Sequence, residues 1–266
     1  MNPRSLLFMP GSRPDMVAKI RRFAPDAAVV DLEDAVAPDA KSAARDAAVT
    51  AMGDNDFGRT TVLIRVNPPG SAWFADDVTA VAALGGTGVV LPKYERRADV
   101  DALRDRLGDV PIVVGLETVR GVADCRNLLA AGPDAVYFGA EDYIADIGGR
   151  RTDDGDEVLY ARSEVCLAAF LGRVAAVDQA VVAVRDDSRF RADAARGRDI
   201  GYTGKICVHP SQVALAHEVF TPNEADVRHA QAVLRAADEG VAVVDGLMID
   251  DVHVRMAAAV LARAGA

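Results

Sequence analysis

Residues 111–121 read PIVVGLETVRG, a short apolar run that ends at a glutamate. The same change from apolar to charged residues occurs in AVYFGAED at 135–142 and in TVLIRVN at 61–67. Such near-continuous apolar runs are typical of parallel strands that are covered on both faces. Because the carboxyl ends of parallel strands meet at one mouth of a barrel, we expect the charged residues there to lie close together.

Similar apolar runs recur along the chain, and segments with the apolar spacing of helices separate them. This alternation predicts repeated βαβ units and favours a (β/α)8 TIM barrel. A doubly wound open sheet is the alternative, but no GxGxxG follows the first run, and GGTG at 85–88 precedes a strand. The predicted strands are 5–10, 27–34, 61–67, 88–93, 112–118, 135–142, 180–184 and 205–210.

After residue 210 the pattern changes to helices at 211–220 and 223–240, with TPN at 221–223 between them. Thr221 or Asn223 is the expected N-cap of the second helix. A strand pair about Asp245 and Gly246, followed by a final helix, completes the chain. The predicted domains are therefore a barrel over residues 1–220 and a C-terminal helical extension over residues 221–266.

The composition excludes some classes of function. The net charge of −10 disfavours a nucleic-acid-binding protein, which needs a basic face. The apolar run LLFM near the N-terminus is too short for a signal peptide, and no run approaches the ~20 residues of a membrane span. The three cysteines form no CxxC pair. Together these features predict a cytoplasmic protein that does not enter membranes.

In a barrel, Arg65, Glu117 and Asp142 would converge, because each follows a strand that points at the same mouth. Two carboxylates without nearby cysteine or histidine suit Mg²⁺, whereas the four histidines lack the spacing of a zinc site. Arg65 could hold a substrate carboxylate or stabilise an oxyanion. The simpler alternatives are a salt-bridged loop arginine and acidic helix caps in DLEDA and ETVRG.

Eight motifs occur in the order seen in one known family. They are RSLLFMPGSRPDM, AVVDLEDAVAPDAKSAAR, IRVNPPGS, VVLPK, ETVRGV, FGAEDYIADIGG, GYTGKICVHPSQ and DGLMIDD. In these motifs the chain resembles the CitE-like proteins, which are similar to the citrate lyase β-subunit and belong to the HpcH/HpaI aldolase superfamily of (β/α)8 barrels.

The resemblance implies a role for individual residues. It implies that Glu117 and Asp142 bind Mg²⁺ and that Arg65 contacts the substrate carbonyl or carboxylate. Asp250 is implied as the catalytic acid/base, on a C-terminal lid that closes over a neighbouring subunit of a homotrimer or hexamer. Residues implied to contact the acyl-CoA substrate are Lys19, Val208 and His209.

Glu33 and Asp34 are predicted to stand behind the metal site, where they would orient Arg65 or bind metal-held water. The alternative is that they cap the helix beginning near Pro38.

The activity implied by the resemblance is a retro-Claisen lyase. It would cleave a 3-hydroxy-3-carboxyacyl-CoA thioester, of the citramalyl-, malyl- or citryl-CoA type, to acetyl-CoA and a 2-oxo acid. Three alternatives remain open: a malyl-CoA thioesterase, a CoA-independent 4-hydroxy-2-oxo acid aldolase, and a non-catalytic or acyl-carrier-dependent lyase subunit.

Overall fold

The computed structural model describes residues 1–238 and 243–265. The chain divides into two compact units, Met1–His217 and Glu218–Ala266. The predicted boundary after residue 220 lies at the end of a helix, Ser211–Phe220, that begins in the first unit.

Eight parallel strands close into a barrel in sequence order, so the predicted (β/α)8 fold is confirmed. Each apolar run pairs with the next, and the last strand pairs with the first. The strands are β1 (Ser5–Pro10), β2 (Ala27–Asp31), β3 (Thr61–Arg65), β4 (Gly88–Leu91), β5 (Ile112–Leu116), β6 (Ala135–Phe138), β7 (Ala175–Asp178) and β8 (Gly204–Cys207).

Helices connect the strands on the outside of the barrel, while alternate strand residues fill its interior. The interior cluster includes Leu6, Val29, Leu63, Val113 and Tyr137. The helices are α1 (Pro14–Val17), α2 (Ile20–Phe23), α3 (Lys41–Asp54), α4 (Phe74–Leu84), α5 (Arg97–Leu107), α6 (Val119–Ala123), α7 (Cys125–Leu129), α8 (Ala140–Ile147), α9 (Asp156–Gly172), α10 (Asp187–Ile200) and α11 (Ser211–Phe220).

The predicted position of the seventh strand is wrong. The structure places β7 at Ala175–Asp178, whereas 180–184 is loop. The segment VLYARSEVCLAAFLGRVAAV at 158–177 has the apolar spacing of one helix, which explains why no strand was predicted there. In the structure the helix ends at Gly172, because the next residue, Arg173, has a left-handed φ of 57°.

A buried ion-pair network explains this register. Asp178 lies beside Lys205 on β8 and accepts a hydrogen bond of 2.8 Å from its ammonium group. Arg162 of α9 binds the same carboxylate through two hydrogen bonds of 2.8 and 2.6 Å. The three charged side chains are buried, so they must pair with one another, and this pairing aligns the two last strands of the barrel.

The C-terminal unit contains α12 (Glu224–Asp238), β9 (Val243–Val244), β10 (Leu247–Met248) and α13 (Asp251–Ala264). Asn223 caps α12, because its side-chain oxygen accepts hydrogen bonds from two backbone N–H groups. Of the two residues predicted as possible caps, Thr221 and Asn223, the second is therefore the N-cap. Asp245 and Gly246 have φ values of 51° and 78°, which a type I′ hairpin turn requires. The predicted strand pair is present, although residues 239–242 lie outside the described part of the chain.

Among the described residues, no helix combines the length and the apolar character that crossing a membrane requires.

Candidate active site

Arg65 ends β3 and is held in place by the acidic residues that follow β2. Its guanidinium donates two hydrogen bonds of 2.6 Å to the two oxygens of Asp31. Its Nη1 atom lies 3.0 Å from Glu33 Oε2, and its planar group stacks over the Phe8 ring at 5.1 Å. Because a bidentate carboxylate fixes both position and plane, Arg65 is a rigid positive charge at the barrel mouth.

Glu117 follows β5 and is buried. The adjacent Thr118, rather than Glu117, caps α6 by accepting a hydrogen bond from the Gly121 N–H group. Glu117 is therefore free of the capping role that was the simpler explanation of ETVRG. Its Oε1 atom instead accepts a hydrogen bond of 2.8 Å from the backbone N–H of Lys93, the residue two positions after β4.

Asp142 lies in the first turn of α8, which starts directly after β6. Between them stands Gly139, where a Cβ atom would lie 2.4 Å from the Cβ of Glu117. A glycine is thus required for Glu117 to pack against the end of β6. Glu117 and Asp142 both line the cavity at the barrel mouth, so the predicted convergence of these two carboxylates with Arg65 is present.

The acidic residues after β2 do not cap a helix. The short 3-10 turn at 38–40 and α3 both begin without a side-chain cap, which excludes that alternative for Glu33 and Asp34. Glu33 contacts Arg65, as described above, while Asp34 is half-exposed and lines the cavity. Glu33 therefore lies beside the Arg65 guanidinium, whereas Asp34 lies beside the Lys93 ammonium group.

Lys93 joins the site without having been predicted as part of it. Its ammonium nitrogen lies 2.5 Å from Glu33 Oε1 and 3.7 Å from both Asp34 Oδ2 and Asp142 Oδ1. Its backbone has a left-handed φ of 49°, which turns its N–H group toward Glu117. The available signal in the sequence was that VVLPK, one of the eight motifs, places this lysine at the end of the fourth predicted strand. The left-handed conformation of a non-glycine residue, seen in the structure, often marks a functional site.

Burial and crowding disfavour the charged forms of these carboxyl groups. Burial raises the pKa of Glu117 to about 7; Arg65 opposes the shift, while Glu33 and Asp142 add to it. Burial likewise raises the pKa of Asp142, against the attraction of Lys93. Within the described chain Glu117 forms no ion pair. The carboxylates at the barrel mouth therefore carry more negative charge than the side chains of Arg65 and Lys93 neutralise.

We expect the metal-free protein to lose stability from Glu117 as the pH rises. Below the ordinary pKa of 4.5 the group is protonated in both folded and unfolded chains and contributes nothing. Between 4.5 and about 7 the folded chain binds the extra proton, so its stability falls with pH. The loss from this group is about 3 kcal/mol once the pH exceeds both values.

The measurement is urea unfolding in EDTA at pH 5 and pH 8, for the wild type and Glu117→Gln. The wild type should lose more stability over this interval than the variant, and added Mg²⁺ should restore it at pH 8. Equal losses in the two proteins would contradict the burial cost assigned to Glu117.

The cavity at the mouth has a volume of 440 Å³ and offers oxygen ligands for a hard cation. In residues 1–238 and 243–265, no three His, Cys, Asp or Glu side chains converge tightly enough to enclose a metal ion by themselves. The buried carboxylate of Glu117 and the partly exposed carboxylate of Asp142 fit Mg²⁺, which keeps several positions for water and substrate oxygens.

The residues implied for CoA contacts lie at different places in the barrel unit. Val208 lines the cavity and is partly exposed. His209 is exposed and its Nδ1 atom contacts Ser211 Oγ at 2.8 Å. Lys19 is exposed at the start of α2, where its ammonium lies 3.6 Å from Asp15. Of the three, Val208 alone borders the described cavity.

Asp250 lies in the C-terminal unit and is the N-cap of α13. Its Oδ1 atom accepts hydrogen bonds from the Val252 N–H at 2.9 Å and the His253 N–H at 3.3 Å. The His253 ring nitrogen Nδ1 contacts the same oxygen at 2.7 Å. This hydrogen bond lowers the pKa of Asp250, and the half-exposed carboxylate is held in one orientation.

Comparison with known proteins places the chain in a family. Residues 4–210 match the family model described as HpcH/HpaI aldolase/citrate lyase. The chain is 47% identical to a citrate lyase subunit beta-like protein of Deinococcus radiodurans, over 93% of this chain and 92% of that protein. It is 34% identical to a (3S)-malyl-CoA thioesterase of Cereibacter sphaeroides, over 99% and 95% of the two chains.

Among solved structures, the chain is similar to CitE of Mycobacterium tuberculosis in complex with magnesium, acetoacetate and coenzyme A. The TM-score is 0.86 and the sequence identity is 32%, over 100% of this chain and 98% of that one. The closed barrel, the matched residues and this likeness over the full length agree. The chain belongs to the HpcH/HpaI aldolase/citrate lyase family.

Proposed function

We propose that the protein is a Mg²⁺-dependent carbon–carbon lyase. It cleaves a 3-hydroxy-3-carboxyacyl-CoA thioester to acetyl-CoA and a 2-oxo acid by a retro-Claisen reaction. One observation carries the proposal: Glu117, a buried carboxylate without an ion pair in the described chain, shares a cavity with the rigid guanidinium of Arg65. The chain is also similar to a CitE in complex with magnesium, acetoacetate and coenzyme A.

Glu117 and Asp142 would hold the Mg²⁺ ion, with Glu33 and Asp34 behind them. When bound, the ion supplies a Lewis acid and a template for the substrate's oxygens. The negative charge of these carboxylates exceeds the positive charge of the side chains around them, and this excess favours the binding of a cation.

Arg65 acts in this proposal by stabilising negative charge on the thioester oxygen as the carbon–carbon bond breaks. Its two hydrogen bonds to Asp31 fix the guanidinium before substrate arrives, so little reorganisation accompanies the reaction. Phe8 and Ile206 supply apolar surface to the same cavity, where the exclusion of water strengthens the interaction.

Asp250, from the C-terminal unit of a neighbouring subunit, is proposed to protonate the enolate carbon in the cleavage direction. The substrate hydroxyl loses its proton as it becomes the ketone of the 2-oxo acid, so the reaction consumes no net proton. This role requires a homo-oligomer, a trimer or a hexamer, whose mass light scattering after gel filtration would measure. Lys19, Val208 and His209 remain the proposed contacts of the CoA portion.

For Asp250→Asn we expect turnover to fall by about 10²- to 10⁴-fold, because the amide cannot exchange the proton. The folded helix should persist, since asparagine is as good an N-cap as aspartate. Initial rates measure the effect, and Asp251→Asn, one residue further along the helix, is the matched control. A full rate in Asp250→Asn would reduce the role of this carboxylate to capping α13.

The function itself is tested by incubating the purified protein with malyl-, citramalyl- and citryl-CoA, with Mg²⁺ or EDTA, and separating the products by liquid chromatography. Acetyl-CoA and a 2-oxo acid are the expected products, and they should form only in the samples that contain Mg²⁺. Failure to cleave all three at high enzyme concentration would overturn the proposal.

A thioesterase is the second candidate, and the likeness to a (3S)-malyl-CoA thioesterase over 99% of this chain favours it. Free CoA with malate, in place of acetyl-CoA with a 2-oxo acid, would identify this activity in the same assay. Inhibition by free CoA would distinguish the lyase and the thioesterase from a CoA-independent aldolase. Co-purification of an acyl-carrier protein would instead indicate a subunit of a larger lyase.

A further inference from the structure

Tyr137 stands at the floor of the mouth cavity. It points inward from β6, is 2% exposed, and lies in the apolar cluster inside the barrel. Its ring packs edge-on against Phe8, with 5.8 Å between ring centroids, and it lines the same cavity as Arg65 and Glu117. A polar group is thus carried into an otherwise apolar part of the barrel.

The position of the hydroxyl depends on Gly115, the residue beside Tyr137 on β5. A Cβ atom at position 115 would lie 2.3 Å from the Tyr137 hydroxyl oxygen. The tyrosine ring therefore leans across the glycine, on the strand that delivers Glu117 two residues later. The charges of Glu117 and Arg65 both act on the hydroxyl, which places it near the groups of the candidate site.

In the described chain no group meets hydrogen-bond geometry with the Tyr137 hydroxyl. Arg65, which acts on the hydroxyl oxygen, can only donate, so the hydroxyl hydrogen is left without an acceptor. Two other buried tyrosines show the usual arrangement. The Tyr94 hydroxyl donates to the Leu128 carbonyl at 3.1 Å, and the Tyr202 hydroxyl donates to the Arg162 carbonyl at 2.7 Å. Since a buried hydroxyl without a partner is destabilising, an exception that faces a cavity calls for a functional explanation.

We propose that the Tyr137 hydroxyl donates a hydrogen bond to an oxygen of the 2-oxo acid portion of the substrate. This inference rests on the proposed function and adds a binding residue to it. Arg65 directs two of its donors to Asp31 and its Nη1 atom toward Glu33, so a neutral donor at the floor adds a hydrogen bond that these donors do not supply. A buried donor of this kind also selects ligands that present an oxygen to it.

The test is the binding of glyoxylate, pyruvate and oxaloacetate to the intact protein with Mg²⁺, measured by isothermal titration calorimetry. Tyr137→Phe keeps the ring and its contact with Phe8 while removing the oxygen. We expect the dissociation constants to rise about 10- to 100-fold, as for a lost hydrogen bond to a charged group. The melting temperature should stay unchanged or rise, because an unpartnered hydroxyl is removed.

Tyr94→Phe and Tyr202→Phe are the matched controls. Each also loses one buried tyrosine oxygen, but that oxygen is bonded within the protein, so stability should fall and 2-oxo acid binding should be unchanged. Unchanged binding in Tyr137→Phe, beside a wild type that binds, would overturn this inference alone. A wild type that binds none of the three acids in the presence of Mg²⁺ would overturn both the inference and the proposed function.

Discussion

Glu117→Gln is expected to lower Mg²⁺-dependent cleavage of the acyl-CoA substrate by about 10³-fold or more. The substitution keeps the size of the side chain and its acceptor for the Lys93 N–H group, but removes the negative charge. Steady-state rates over a Mg²⁺ titration measure the loss, and the Mg²⁺ concentration at half-maximal rate should rise. Calorimetry should show weakened Mg²⁺ binding in the same protein.

The fold should survive Glu117→Gln, because the variant no longer ionises a buried carboxyl group. Its stability in EDTA at pH 8 should equal or exceed that of the wild type. Glu141→Gln is the matched control: it removes another carboxylate that lines the cavity, one paired with Arg151 at 2.8 Å. A Glu117→Gln protein with a tenth or more of the wild-type rate would exclude Glu117 as a metal ligand.

Replacement of Arg65 by methionine is expected to cause the largest combined effect on stability and activity. Asp31 and Glu33 would be left buried without their guanidinium partner, at a cost of about 3–5 kcal/mol. Turnover should be lost as well, because the oxyanion would have no fixed positive charge near it. Urea unfolding and initial rates at low temperature measure the two effects separately.

Arg45→Met is a suitable control for Arg65→Met. The two arginine side chains are 12% and 11% exposed, and Arg45 binds the buried Asp77 at 2.8 Å. We expect a similar loss of stability in the control with the activity retained. Adding Asp31→Asn to Arg65→Met should recover part of the stability and none of the turnover. If Arg65→Met retained activity near the wild-type level, Arg65 would have a structural role and no role in the reaction.

The barrel was predictable because periodic apolar runs and helical spacing are local properties of the sequence. The mouth residues Arg65, Glu117 and Asp142 followed from the barrel, since strand ends of one topology must meet. The seventh strand was misplaced because AAVD at 175–178 resembles the end of the preceding helix. What decides its register is the pairing of Asp178 with Arg162 and Lys205, a contact between distant residues that no local pattern contains.

Lys93 and Tyr137 were missed for a similar reason. A lysine after a strand is usually solvated, and a tyrosine within a strand is usually core. The left-handed backbone of Lys93 and the unpartnered hydroxyl of Tyr137 appear only when neighbouring strands are assembled. Glycine at 115 was the indirect signal, because it marks a close approach to a neighbouring group.

Gly139 constrains how this site can change through evolution. Any larger residue there would collide with Glu117, even though the glycine takes part in no chemistry. The closest contact is with the Cβ atom of residue 117, so a larger residue at 139 fits this backbone only if residue 117 is itself glycine, and the carboxylate is then lost. We therefore expect glycine at position 139 of any chain with this backbone that carries glutamate at position 117.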